Sequence, residues 1–182
     1  MSQKLLDVEN LTMKFGGLVA IDNLSFSADK DKITSIIGPN GAGKTTVFNC
    51  LTGFYKATAG SMFLNKENER LNLRKFSDFK VAQKAGVART FQNIRLFPQM
   101  SVLENLMVAQ HNKLMDASGF TILGLFNSPS FVKKEKEAVG ISKYWLDIIG
   151  LTHRADDDAG DLPYGDQRKL EIVRAMCINP HL

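Results

Sequence analysis

The stretch Gly38–Thr45 reads GPNGAGKT and fits the pattern G-x-x-x-x-G-K-[ST]. It follows a β-rich run, Lys32–Ile37, and a helix-compatible stretch, Thr45–Thr52, begins at its last residue. A strand, a glycine-rich turn and a helix in this order aim the unpaired N–H groups of the helix at a bound anion. This order predicts an α/β fold with a phosphate site at the turn, which we call the glycine-rich loop.

Each residue type in the glycine-rich loop has a physical role in holding phosphate. Glycines permit positive φ and leave no side chain between backbone N–H groups and phosphate oxygens. Lys44 supplies a mobile positive charge for the β- and γ-phosphates, and the Thr45 hydroxyl is placed to bind Mg²⁺. The stretch therefore predicts a nucleoside triphosphate site. Its candidate binding residues are Gly38, Pro39, Asn40, Gly41, Ala42, Gly43, Lys44, Thr45 and Thr46.

The composition is that of a globular protein. The 182 residues carry 23 Lys and Arg against 19 Asp and Glu, a net charge of +4, and 44% are hydrophobic, which argues against whole-chain disorder and against a disulfide scaffold. The sequence contains no run of 18 apolar residues, so no membrane-spanning helix is predicted. Met1–Asn10 lacks the apolar stretch of a secretory signal. Cys50 and Cys177 have no metal-ligand spacing and are expected to be reduced, buried thiols.

Periodicity predicts strands on both sides of the glycine-rich loop and helices after them. The further predicted strands are Leu11–Phe15, Asn23–Ser27, Gly60–Asn65 and Val87–Gln92. The predicted helices are Leu73–Ala85, Val102–Leu114, Phe131–Ile149 and Gly165–Ile178, with a capping box at Ser101 and Glu104 and a loop over Phe120–Ser130. Strands dominate before residue 92 and helices after residue 101, which indicates an α/β core with a helical second lobe.

A second stretch, Leu162–Arg168, reads LPYGDQR and precedes the last predicted helix. Together with the glycine-rich loop and Gln92, it resembles the signature motif of ATP-binding cassette (ABC) ATPases, usually written L-S-G-G-Q. Further stretches resemble one subgroup, the LivG-like ATP-binding subunits of branched-chain amino-acid importers, and the likeness spans residues 4–182. These stretches are Phe15–Ala20, Phe48–Tyr55, Arg89–Phe97, Glu104–His111 and Tyr164–Ala175.

The resemblance implies a P-loop NTPase core with an N-terminal antiparallel β subdomain and a helical signature subdomain. Residues 1–92 correspond to the β subdomain and P-loop core, and residues 93–178 to the helical subdomain, within a partial ABC ATPase domain over residues 1–182. The resemblance implies that Phe15 stacks on the adenine of ATP and that Gln92 reaches Mg²⁺ and the attacking water. From the residues alone, a core phenylalanine and a surface glutamine are the alternatives.

The resemblance also implies partners. Two ABC ATPase subunits dimerise head to tail, and each signature motif meets ATP held by the other subunit; the matching residues here are Pro163, Tyr164, Gly165, Asp166 and Gln167. Pro163 replaces the usual serine and has neither hydroxyl nor N–H, so we expect that contact to rest on the Gly165 N–H and the helix dipole. Membrane permease subunits would meet the surface Gln92–Met100, a solute-binding protein would act indirectly, and no nucleic acid is expected.

ABC ATPases place an acidic residue at the end of a second apolar strand after the signature helix, then a glutamate and later a histidine. The last residues, Asn179–Leu182, contain no such run, so we expect an incomplete core and negligible hydrolysis by these 182 residues alone. The leading function is a peripheral ATPase subunit on the cytoplasmic membrane face that powers branched-chain amino-acid import. The alternatives are a soluble ABC ATPase unrelated to transport, a P-loop kinase, and a nucleotide-binding fragment without turnover.

Overall fold

The computed structural model describes residues 3–66, 69–76, 79–111 and 129–182, with side chains from residue 132 in the last range. The chain divides into two compact units. The first contains Met1–Val87 and His181–Leu182, and the second contains Ala88–Pro180. Among the described residues, no helix has both the length and the apolar character that crossing a bilayer requires.

The first unit contains a four-stranded antiparallel sheet in the order β2-β1-β3-β4. Three of the predicted strands lie within it, and the fourth strand was not predicted. The strands are β1 (Lys4–Phe15), β2 (Leu18–Asp29), β3 (Ala59–Lys66) and β4 (Glu69–Asn72). One helix of this unit, α1 (Lys44–Leu51), buries Val47, Cys50 and Leu51 in the core that the sheet forms.

A β-bulge in β1 keeps its apolar side chains on one face. Leu6 and Val8 are buried, and so are Leu11 and Met13, although strict alternation would turn the second pair outward. The pairing of β1 with β2 shifts register between Val8 and Leu11, where Asn10 has a φ of 53°. The extra residue restores the phase, so the whole strand contributes to the core.

Two predicted strands of the first 92 residues are wrong. Lys32–Ile37 and Val87–Gln92 belong to no strand, because a strand requires a hydrogen-bonded neighbour and none of the described strands pairs with either segment. Ile33 is 98% exposed and Ile37 is 91% exposed, as expected for an apolar run without a sheet around it.

The predicted α-helix Leu73–Ala85 is not one continuous α-helix: its described residues form a 3-10 turn, Leu73–Lys75, and a helical segment over residues 79–85. Asn72 caps a 3-10 turn, Leu73–Lys75, by accepting a hydrogen bond from the Arg74 N–H, and the backbone is extended again at Phe76. A π-turn, Val81–Ala85, ends at Gly86, the predicted stop, in the left-handed conformation. The Asn72 side chain therefore stabilises a short turn at a position where the apolar periodicity predicts a continuous helix.

The described residues of the second unit form three α-helices: α2 (Val102–Ala109), α3 (Pro129–Ile148) and α4 (Tyr164–Met176). Pro129 and Ser130, predicted as loop, begin α3. The rest of that predicted loop and residues 112–114 of the predicted helix Val102–Leu114 lie outside the described residues. The capping box before α2 is confirmed, since the Ser101 hydroxyl accepts from the Glu104 N–H and the Glu104 carboxylate accepts from the Ser101 N–H. The core consists of Val102, Leu106, Leu146, Leu151, Ala159, Leu162, Leu170, Val173 and Cys177.

Candidate nucleotide site

The glycine-rich loop requires glycine at two positions of its described backbone. Gly41 and Gly43 have φ values of 85° and 83°, which side-chain-bearing residues rarely adopt. A Cβ atom at Gly43 would also lie 2.4 Å from the backbone oxygen of Ala20. The Gly43 backbone therefore lies close to β2, and the start of α1 packs directly against the sheet of the first unit.

Lys44 places its positive charge over the loop that precedes it. Its ammonium group donates hydrogen bonds to the backbone oxygens of Gly38 and Pro39, both at 2.7 Å. Phosphate oxygens are stronger partners for an ammonium group than neutral carbonyls are, because the hydrogen bond is then charge-assisted on both sides. Lys44 is therefore positioned to exchange these carbonyls for the phosphates of a nucleotide.

The N-terminus of α1 suits an anion. Its first N–H groups lack partners within the helix, and its first turn, which is fully described, contains no acidic residue and no side-chain cap. Thr45 in this turn is exposed and Thr46 is partly exposed. The described residues contain no cluster of three or more His, Cys, Asp or Glu that resembles a metal site. A hydroxyl ligand such as Thr45, completed by phosphate oxygens and water, suits Mg²⁺.

Phe15 lies at the end of β1 and is 41% exposed. Tyr55, which the sequence analysis did not single out, packs against it with ring centroids 5.2 Å apart and an interplanar angle of 79°. This T-shaped arrangement is one that aromatic pairs prefer. In an edge-to-face pair, the edge of one ring contacts one face of the other. Tyr55 therefore leaves at least one face of the Phe15 ring free of contact with itself.

Gln92 is exposed and lies in an irregular segment of the second unit. The residue before it is firmly held: the Phe91 N–H donates to a Glu171 carboxylate oxygen at 3.4 Å, and the Phe91 carbonyl accepts from Arg168 at 2.7 Å. Glu171 itself is 3% exposed and pairs with Arg168 at 2.5 Å. This pair was not predicted, although Arg168 and Glu171 lie three positions apart in α4, a spacing that places two side chains on one helix face.

The signature residues form the beginning of α4. Pro163 is the residue that caps the helix, with φ −54° and ψ 147°, and α4 begins at Tyr164, one residue earlier than predicted. Tyr164 is 71% exposed. A Cβ atom built on Gly165 meets no atom within 4 Å, so the backbone there is open to close approach.

Two further signature residues make hydrogen bonds within the second unit. The Gln167 side-chain amide donates to the carbonyl oxygens of Leu162 at 2.8 Å and Gly160 at 3.2 Å. Asp166 pairs with Lys169 at 2.8 Å. The Gln167 amide group therefore fixes the loop before α4, and its role toward a second subunit stays a prediction.

The segment after Gln92 is shaped by a buried asparagine. Asn105, fully buried, accepts from the Phe97 N–H at 2.9 Å and donates to the carbonyl oxygens of Phe97 and Ser101, each at 3.0 Å. Phe97 stays 47% exposed, with the Arg174 guanidinium 5.6 Å from its ring centre. Burial lowers the pKa of Arg174. An exposed aromatic ring is thus presented on a fixed backbone.

Comparison with known proteins identifies the family. The family described as ABC transporter matches residues 21–182. The chain belongs to the ABC transporter family. It is 47% identical over 182 residues to the high-affinity branched-chain amino acid transport ATP-binding proteins BraF of Pseudomonas aeruginosa and LivG of Escherichia coli K12, covering all of this chain and 68% of each relative. The family and subgroup predicted from the sequence are therefore confirmed.

Solved structures agree with this assignment. The ADP conformation of MJ1267, an ATP-binding cassette of an ABC transporter, superposes with a TM-score of 0.77 at 34% identity and covers 98% of this chain and 66% of that one. The predicted fold class, a P-loop ABC ATPase core with an antiparallel sheet and helices, is confirmed. ABC ATPases bind nucleotide, and the ATP-binding subunits of importers work with membrane permease components.

Proposed function

We propose that this chain is the ATP-binding subunit of an ABC importer, which couples ATP binding and hydrolysis to the uptake of branched-chain amino acids. The observation that carries the proposal is the glycine-rich loop, with Lys44 over it and two left-handed glycines, in a chain 47% identical to BraF and LivG. Both relatives are named as branched-chain amino acid transport ATP-binding proteins.

Within this proposal, the glycine-rich loop and Thr46 hold the triphosphate, and Phe15 stacks on adenine. The open N-terminus of α1 and the Lys44 ammonium supply the positive potential, in agreement with the absence of a competing acid in the first turn of this helix. Thr45 and Gln92 would hold Mg²⁺, which would supply positive charge to offset that of the phosphates. Gln92 also orients the attacking water, and the fixed Phe91 backbone limits the positions that Gln92 can take.

The proposed assembly is a head-to-tail dimer of ATP-binding subunits at the cytoplasmic face of the membrane, beneath the permease subunits, with the solute-binding protein acting indirectly. The signature residues supporting the dimer are Pro163, Tyr164, Gly165, Asp166 and Gln167. Gly165 favours this role, because its backbone is open and lies in the first turn of α4, where helix N–H groups attract an anion. Phe97 offers the permease an exposed aromatic ring.

Uptake by intact cells tests the transport function. Deleting the gene that encodes this chain is expected to abolish high-affinity uptake of labelled leucine, isoleucine and valine while uptake of lysine stays at the parental rate. Restoring the gene should restore uptake, and restoring it with Lys44→Met should not. Unchanged leucine uptake in the deletion strain would contradict the import function, whereas ATP binding by the purified chain together with unchanged uptake would favour an ABC ATPase not tied to transport.

We further propose that a polypeptide of these 182 residues alone binds ATP without appreciable turnover. The described residues after α4, Cys177–Leu182, include no Asp or Glu, and P-loop ATPases need an acidic residue on a second strand to hold the Mg²⁺ shell. Phosphate release from MgATP by the purified polypeptide is expected to remain at the level of the Lys44→Met variant. Turnover well above that level would refute this proposal, while leaving the importer assignment intact.

A further inference from the structure

The aromatic pair of the first unit joins the end of β1 to the segment that follows α1. Phe15 ends β1 and pairs with Leu18 across the β1–β2 turn. Tyr55 follows α1, the helix that begins with Lys44, and the Tyr55 N–H donates to the Asn49 carbonyl of that helix at 3.1 Å. The ring contact between Phe15 and Tyr55 therefore connects the end of β1 to the helix of the glycine-rich loop.

The backbones that carry the two rings are fixed independently of the rings. The Lys14 N–H donates to the Thr58 hydroxyl at 3.0 Å, and the Thr58 N–H donates to the Thr12 carbonyl at 2.9 Å. These bonds tie the segment after Tyr55 to β1 beside Phe15. We therefore expect that removing the Tyr55 ring leaves the backbone conformation unchanged. The Phe15 ring then loses the contact that restricts its orientation.

Both residues are substantially exposed, Phe15 at 41% and Tyr55 at 38%, so burial in the core does not hold them. A half-exposed phenylalanine rotates among its side-chain rotamers unless a neighbour restricts it. Tyr55 supplies that restriction, with centroids 5.2 Å apart and ring planes at 79°. Tyr55 covers at most one face of the Phe15 ring, and a planar heteroaromatic base requires the other face for stacking.

We propose that Tyr55 is a positioning residue for recognition of the nucleotide base: it holds the Phe15 ring in the orientation that stacks on a purine. This role rests on the proposed function of Phe15. It adds Tyr55, which lies outside the glycine-rich loop, to the residues that determine nucleotide binding. Tyr55 acts on the base alone. The triphosphate is held by Lys44 and the N-terminus of α1, whose hydrogen bonds do not involve Tyr55.

The test measures equilibrium binding of ATP and of inorganic tripolyphosphate to the 182-residue chain and its variants by calorimetry. Tyr55→Leu is expected to weaken ATP binding by about 2- to 12-fold, the value of one aromatic pair, and to leave tripolyphosphate binding within about twofold. Tyr55→Phe keeps the ring and should bind ATP as the parent chain does. Phe15→Leu should weaken ATP binding, and adding Tyr55→Leu to it should cause no further loss, because the two rings act as one unit.

The matched control is Tyr144→Leu in the second unit. Tyr144 is also exposed and forms a T-shaped pair with Trp145, with ring centroids 5.4 Å apart and an interplanar angle of 72°. Its replacement therefore removes a similar aromatic contact from the unit that does not contain the glycine-rich loop. This variant should bind ATP normally. Equal weakening of ATP and tripolyphosphate by Tyr55→Leu would show a structural role and overturn the proposal, as would no effect of Tyr55→Leu where Phe15→Leu has one. If Phe15→Leu has no effect either, the proposed base site is wrong, and the role of Tyr55 falls with it.

Discussion

Replacing Lys44 by methionine is expected to weaken ATP binding by about 10- to 150-fold, which corresponds to the ~1.5–3 kcal/mol of a hydrogen bond to a charged group. The Lys44 ammonium is the only basic group that the described glycine-rich loop contributes, and it already lies over the loop through the Gly38 and Pro39 carbonyls. Methionine matches the length of the side chain and removes only the charge and the donors. Isothermal calorimetry with MgATP measures the change.

Two controls isolate the contact from general electrostatics. Lys32→Met removes the same charge from the first unit at a side chain 60% exposed, which pairs only with Asp29 among the contacts described, and should change ATP affinity less than about twofold. AMP lacks the β- and γ-phosphates that Lys44 is proposed to bind. The Lys44→Met substitution should therefore lower AMP affinity far less than ATP affinity. Equal losses for AMP and ATP would mean that the substitution disrupts the loop rather than one contact.

The sequence predicted best where function depends on local chemistry. GPNGAGKT requires left-handed glycines before a helix, and the structure has them at Gly41 and Gly43. The Ser101–Glu104 capping box likewise follows from two residues three positions apart. Both features are encoded within a single turn of chain, so a short window of sequence contains all the information that they need.

Features that depend on distant partners were not predicted. Lys32–Ile37 has the composition of a strand, yet composition does not supply a hydrogen-bonded neighbour, and the segment is unpaired among the described strands. The contact of Tyr55 with Phe15 and that of Glu171 with Phe91 join residues far apart in the chain. Such pairs depend on how the elements pack, which periodicity within one element does not reveal.

The pair of Arg168 with Glu171 predicts an unequal response to mutation. Arg168→Ala leaves the Glu171 carboxylate, 3% exposed, without its ion-pair partner, and is expected to lower the free energy of unfolding by about 3 kcal/mol. That value is the lower end for a buried pair, because the Arg168 side chain is 36% exposed and water screens part of the attraction. Glu171→Ala is expected to cost about 1–2 kcal/mol, since the freed guanidinium reaches solvent and one hydrogen bond to Phe91 is lost.

The double variant Arg168→Ala/Glu171→Ala decides whether the unpaired charge is the cause. With no carboxylate left to bury, it should be more stable than Arg168→Ala alone, although it removes more contacts. Lys169→Ala is the matched control: it breaks a pair with Asp166 at the same i,i+3 spacing in α4, but that lysine is 54% exposed, so the loss should stay below about 1 kcal/mol. Urea denaturation followed by circular dichroism measures all four variants. If the double variant were as unstable as the sum of the two single ones, the buried charge would not be what makes Arg168 necessary.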